Sequence, residues 1–157
     1  MKEKLYEIPL NDAMDADDEC LFCFLERKAE QELMDFVLGS CASYMESDTR
    51  EATDRSGFCR IHQKKMFDYG NALGNGWILK TYYKKLIKEM KEEFKEFSPG
   101  KTSLKDRLTG KTGNGNSIGA WIEGKEKTCY ICDRFSESYE RYVATFVHLY
   151  KKDYVFR

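Results

Sequence analysis

Residues 76–97 read GWILKTYYKKLIKEMKEEFKEF. At about 100° per residue, Leu79, Tyr83, Leu86, Met90, Phe94 and Phe97 fall within roughly a quarter-turn, the stripe of an amphipathic helix. Lys80, Lys84, Lys88, Lys91 and Lys95 share a second sector, and Glu89, Glu92, Glu93 and Glu96 a third. Such a helix buries one side and solvates its charges on the others. Ser98-Pro99-Gly100 terminates it, because proline cannot continue a helix and glycine readily leaves one.

The same period recurs outward in both directions. Phe22, Leu25, Ala29, Leu33, Phe36 and Val37 define a helix over about 21–38, stopped by Gly39. Short helices are expected from Asp48 to Arg55, closed by Gly57, and from beside Cys59 to about Tyr69. Near the end of the chain, Ile131, Phe135, Tyr139, Tyr142, Phe146 and Leu149 or Tyr150 make the stripe of a last helix. Residues 1–19 read as an extended lead-in whose acidic cluster (Asp12, Asp15, Asp17, Asp18, Glu19) complements the positive start of the helix that follows. A calcium loop is excluded there, since no glycine supplies its central turn.

The expected architecture is therefore all-α: a zinc-stapled helical bundle with a long mobile loop before the last helix. Residues 1–97 form the stapled helical unit and 98–118 a Gly/Lys-rich flexible loop. Residues 119–157 carry a second paired-cysteine motif and the C-terminal helix. Setting Cys20-x-x-Cys23 on Cys129-x-x-Cys132 pairs Leu33 with Tyr142, Met34 with Val143, Val37 with Phe146 and Leu38 with Val147. That hints at an internal duplication whose second unit is incomplete.

The staple is read from ligand spacing. Cys20-Leu-Phe-Cys23 and Cys59-Arg-Ile-His62 each place two ligands on one helical turn, and two such bites complete a tetrahedral zinc shell. A structural zinc on Cys20, Cys23, Cys59 and His62 is the expected site, with an iron–sulfur cluster ranked below it. Free cysteines are often simply buried, yet three spaced pairs exceed what burial alone explains. Cys129-Tyr-Ile-Cys132 is left as a possible second half-site. It can replace Cys59 and His62 in an all-cysteine site, meet another chain, or act as a redox dithiol. His148 cannot join it, being about 24 Å further along a continuous helix. Cys41, past the end of its helix, reads as a buried thiol.

Composition bounds the function. With 26 basic and 27 acidic residues, the balance argues against a dedicated nucleic-acid protein, although the Lys80–Lys95 stripe with Lys101, Lys105, Arg107 and Lys111 keeps that reading as a weaker alternative. No stretch has signal-peptide or membrane-spanning length, so a cytoplasmic protein with reduced thiols is expected and no membrane association. Gly110-Lys111-Thr112 mimics the end of a phosphate-binding loop, but the required upstream glycine is missing, position 105 being lysine. No strand–CxxC–helix pattern supports thioredoxin-like chemistry. No catalytic triad can be built on two histidines, one of them a metal ligand. The chain is thus expected not to be an enzyme.

Taken together, Tyr6-Glu7-Ile8-Pro9-Leu10-Asn11-Asp12-Ala13, the Cys20/Cys23 pair, Gly57-Phe58-Cys59-Arg60-Ile61-His62 and Cys129-Tyr130-Ile131-Cys132-Asp133 resemble an uncharacterised bacterial (Firmicutes) family, domain of unknown function 6062. The resemblance runs over most of the chain. It implies a paired-ligand architecture and a further Gly-Phe-Cys-x-x-His segment after the last helix, so this chain reads as a shortened member. No activity comes with it. The expected role is a non-enzymatic, metal-binding module for protein interaction or assembly, with an unknown protein partner or a second copy of itself. The alternative is a thiol-redox or metal-handling protein using Cys129 and Cys132.

Overall fold

The computed structural model describes residues 2–16, 18, 20–95 and 116–152, and among these the chain forms seven α-helices and one short 3-10 turn. No strand occurs among the described residues, so the chain is all-α as its periodicity requires. The helices are α1 (Lys2–Asp15), α2 (Leu21–Leu38), α3 (Ser47–Ser56), α4 (Arg60–Asp68), α5 (Ala72–Glu93), α6 (Asn116–Glu126) and α7 (Tyr130–Lys152). The expected loop at 98–118 lies outside the described residues up to 115, and its last three positions open α6. Among the described residues, no helix is long and apolar enough to cross a membrane.

The chain divides into two compact units, Met1–Ala42 with Ile131–Arg157, and Ser43–Tyr130. This division cuts across the expected 1–97 unit. The first unit is discontinuous in sequence because α7 packs with the N-terminal helices, which share no local signal with it. Its core joins Leu10 and Ala13 of α1, Leu25 and Ala29 of α2 and Tyr142 of α7, with Tyr6, Phe22, Phe135 and Phe146 around them. Aromatic edges close the packing: Tyr6 meets Tyr142 at 6.0 Å between ring centroids and Phe22 meets Phe146 at 5.1 Å.

The extended lead-in is corrected to helix α1. Pro9 sits inside it and removes one backbone donor, which ordinarily disfavours a helix interior. Burial of Leu10 and Ala13 against α2 and Tyr142 outweighs that loss. Two of the acidic residues expected to complement the start of α2 instead reach its basic side chains, Asp12 bonding Lys28 and Asp18 bonding Arg27. Helix α2 spans the expected residues and stops as Gly39 donates its N–H to the Asp35 carbonyl at 2.8 Å. Leu25 is completely buried at the centre of this core. Its replacement by alanine is expected to cost about 2–5 kcal/mol, readable as a lowered urea midpoint with an unchanged slope.

In the second unit, α5 packs on α3 and on the 3-10 turn Ser43–Met45. Asn71 caps α5 by accepting the Gly74 N–H at 2.9 Å, so the helix starts before the expected Gly76. Its buried face is Gly74, Ile78 and Tyr82, one position off the stripe read from sequence. Tyr83, Met90 and Phe94 are 45%, 40% and 41% exposed. The physical reason is local. A glycine at 74 lets the Tyr44 ring approach to where a Cβ would stand 2.9 Å away, which turns the 74–78–82 line toward the core. Lysines 80, 84, 88 and 91 point to solvent, as expected.

Candidate metal centre

The turn that places the ligands begins at Gly57. Its backbone, at φ 63° and ψ −156°, lies where a side chain is strongly disfavoured. The glycine N–H caps α3 by bonding Thr53 O at 2.8 Å, and its carbonyl accepts the Tyr130 N–H at 2.9 Å. That second bond ties the start of α4 to the start of α7. Phe58 and Tyr130 then meet edge to face at 6.4 Å. Cys59 is the N-cap residue of α4, with His62 one turn on. Cys129 immediately precedes α7, and Cys132 stands in that helix's first turn.

The consequence is a cluster of four ligands. Atoms of Cys59, His62, Cys129 and Cys132 all lie within 4.8 Å of one another. His62 Nδ1 is 3.2 Å from Cys59 Sγ and 3.3 Å from Cys129 Sγ. Ideal zinc bond lengths in a tetrahedron place sulfur and nitrogen ligands about 3.5–3.8 Å apart. The set matches in donor chemistry and number, and its atoms are near enough to one another to hold one metal ion. Cys129 and His62 are buried, Cys59 is half-buried and Cys132 exposed.

This grouping differs from the expected one. Cys59 and His62 are joined by Cys129 and Cys132, and Cys20 and Cys23 belong to no group of three or more such ligands among the described residues. The half-site read at Cys129 and Cys132 is therefore part of a complete donor set. Spacing alone did not distinguish the two pairs: 36 positions separate Cys23 from Cys59 and 67 separate His62 from Cys129. A doubling of loop length costs only about 0.6 kcal/mol in closure entropy, too little to choose. The missing signal was the Gly57–Tyr130 backbone bond, which no local pattern announces.

Beside Cys59, the same unit holds an apolar cavity of about 460 Å³. Phe58, Tyr82, Leu86 and Met90 line one part of it, Trp121 and Ile122 of α6 another. Lys125 of α6 pairs with Glu89 of α5 at 2.6 Å at this end of the unit. Burial pushes the Tyr82 phenol above its ordinary range, helped by neighbouring Tyr83 and Glu89.

Cys20 and Cys23 stand apart as a pair of their own. Cys20 is the N-cap residue of α2, and its sulfur accepts the Cys23 N–H at 3.2 Å. A hydrogen bond from the Cys23 thiol to the Cys20 sulfur holds the Cys20 thiol below the usual range and pushes that of Cys23 up. Cys41 is exposed, against the buried thiol expected.

The model of a family of unknown function, DUF6062, matches residues 1–157. The chain belongs to that family. No curated protein and no solved structure matches the chain. Membership in that family brings no activity with it.

Proposed function

We propose that the protein is a non-enzymatic helical module with a structural zinc on Cys59, His62, Cys129 and Cys132, and that it serves protein interaction or assembly. The observation that carries this reading is the convergence of four ligand atoms within 4.8 Å. Three thiolates and an imidazole supply a full zinc shell from the protein itself. A catalytic zinc keeps one position open for water or substrate, which this donor set does not leave. Bound zinc would supply a cross-link between the segments that open α4 and α7, beside the Gly57–Tyr130 backbone hydrogen bond and the Phe58–Tyr130 ring contact. The apolar cavity against Cys59 supports the interaction role, since a pocket lined by Leu86, Met90, Trp121 and Ile122 suits an apolar side chain of a protein partner.

The test is metal analysis of protein purified without added metal, followed by chelation. About one zinc per chain is expected, and stripping it should lower the melting temperature markedly, because structural zinc is coupled to folding. Iron in place of zinc, or a metal-free protein with the same melting curve as the metal-loaded one, would refute the reading.

A further inference from the structure

The grouping of Cys129 and Cys132 with Cys59 and His62 leaves the other paired motif, Cys20-Leu-Phe-Cys23, without a role. Its geometry is specific. Cys20 occupies the N-cap position of α2 and Cys23 the first turn, with Cys23 N–H directed at Cys20 Sγ at 3.2 Å. Cys23 is exposed and Cys20 half-buried, so a reagent in solvent can reach the pair. Tyr139 of α7 lies close enough for both sulfurs to help hold its phenol above the ordinary range, after burial and Glu26.

We propose that Cys20 and Cys23 form a redox-active dithiol, oxidised reversibly to an intramolecular disulfide by exchange with a disulfide-bearing molecule. Cys20 is the attacking sulfur. The start of α2 and the donors from Cys23 favour its thiolate, the form that attacks a disulfide. In the first step the Cys20 thiolate bonds to one sulfur of the external disulfide. The external sulfur–sulfur bond breaks, and one thiolate leaves to take a proton from solvent. In the second step Cys23 gives its proton to solvent and attacks Cys20 Sγ, expelling the second thiolate, which is protonated in turn. The protein loses two electrons and two protons, and the external disulfide becomes two thiols. No thioredoxin framework is needed, because a single helix start supplies both spacing and electrostatics.

The test uses the full chain loaded with zinc, with glutathione disulfide as the probe, read by peptide mapping and by metal content. A Cys20–Cys23 disulfide is expected, with the zinc-to-protein ratio unchanged. In Cys23→Ser the glutathione adduct should accumulate on Cys20. In Cys20→Ser, adduct formation at Cys23 should be roughly tenfold slower or more, following its smaller thiolate fraction. Serine is itself a good N-cap residue, so α2 is retained in the second variant. Independent adducts on both thiols of the unsubstituted chain, or no reaction at the pair, would overturn the proposal. So would a second metal ion per chain that shields Cys20 and Cys23 from exchange, which would make the pair a metal half-site.

Discussion

Replacing Cys129 by serine should reduce bound zinc from about one per chain to none and lower the melting temperature sharply, whereas Cys20→Ser should leave the metal in place. The first substitution removes a buried sulfur 3.3 Å from His62 Nδ1. Three donors remain, one of them the exposed Cys132, and the shell can no longer close. Apparent binding free energies for structural zinc in small domains reach about 10–16 kcal/mol. A larger unit with its own core depends on the metal for only part of its stability, yet the loss should exceed that of an ordinary surface substitution, which stays within about 0.5 kcal/mol. Cys59→Ser should behave like Cys129→Ser. Retention of zinc in Cys129→Ser together with its loss in Cys20→Ser would restore the ligand set that spacing alone suggested. Metal analysis and a melting curve on each of the three variants decide the matter.

Gly57→Ala should be strongly destabilising, at about 2–6 kcal/mol. Two costs add. The backbone at φ 63° and ψ −156° is open essentially to glycine alone, and forcing alanine into it costs about 1–3 kcal/mol. The new Cβ would also stand 2.6 Å from the Tyr82 ring, and overpacking of that kind costs about 1–3 kcal/mol. Tyr82 is itself buried, so its ring has little room to retreat. Either escape, a swung ring or a turned peptide, disturbs the carbonyl that accepts the Tyr130 N–H. Zinc affinity should therefore fall together with stability, although Gly57 is not a ligand. Gly70→Ala provides the control. Gly70 also has positive φ, 87°, but nothing lies within 4 Å of its would-be Cβ. It should show the backbone cost and keep its zinc affinity. Equal loss of zinc affinity in both variants would mean that the Gly57 turn does not position the ligands.

The helices were largely legible because each carries its own periodicity and stop signals. Helix α2 appears where Phe22-to-Val37 spacing and Gly39 placed it, and α7 begins directly after Cys129. Where reading failed, contacts from elsewhere overrode local pattern. Residues 1–19 read as an extended lead-in, while Leu10 and Ala13 find partners on α2 and α7 that make a helix worth forming. On α5, two apolar lines compete one position apart. The choice of Ile78 and Tyr82 over Tyr83 and Met90 follows from Gly74 admitting Tyr44.

The candidate centre divides in the same way. Donor type, the two-residue spacer and the placement of each pair at a helix start are properties of short segments, and the sequence by itself determined them, along with the all-α class. Which pair meets Cys59 and His62 is a different kind of question. Three pairs of equivalent local chemistry compete for one shell, and loop closure scarcely separates the alternatives. Only the tertiary structure decided it, through a hydrogen bond between Gly57 and Tyr130 and the packing of Phe58 on Tyr130. Those contacts join segments more than 70 residues apart. Their energy depends on a glycine conformation and two buried rings coming together at once, which no window along the chain contains.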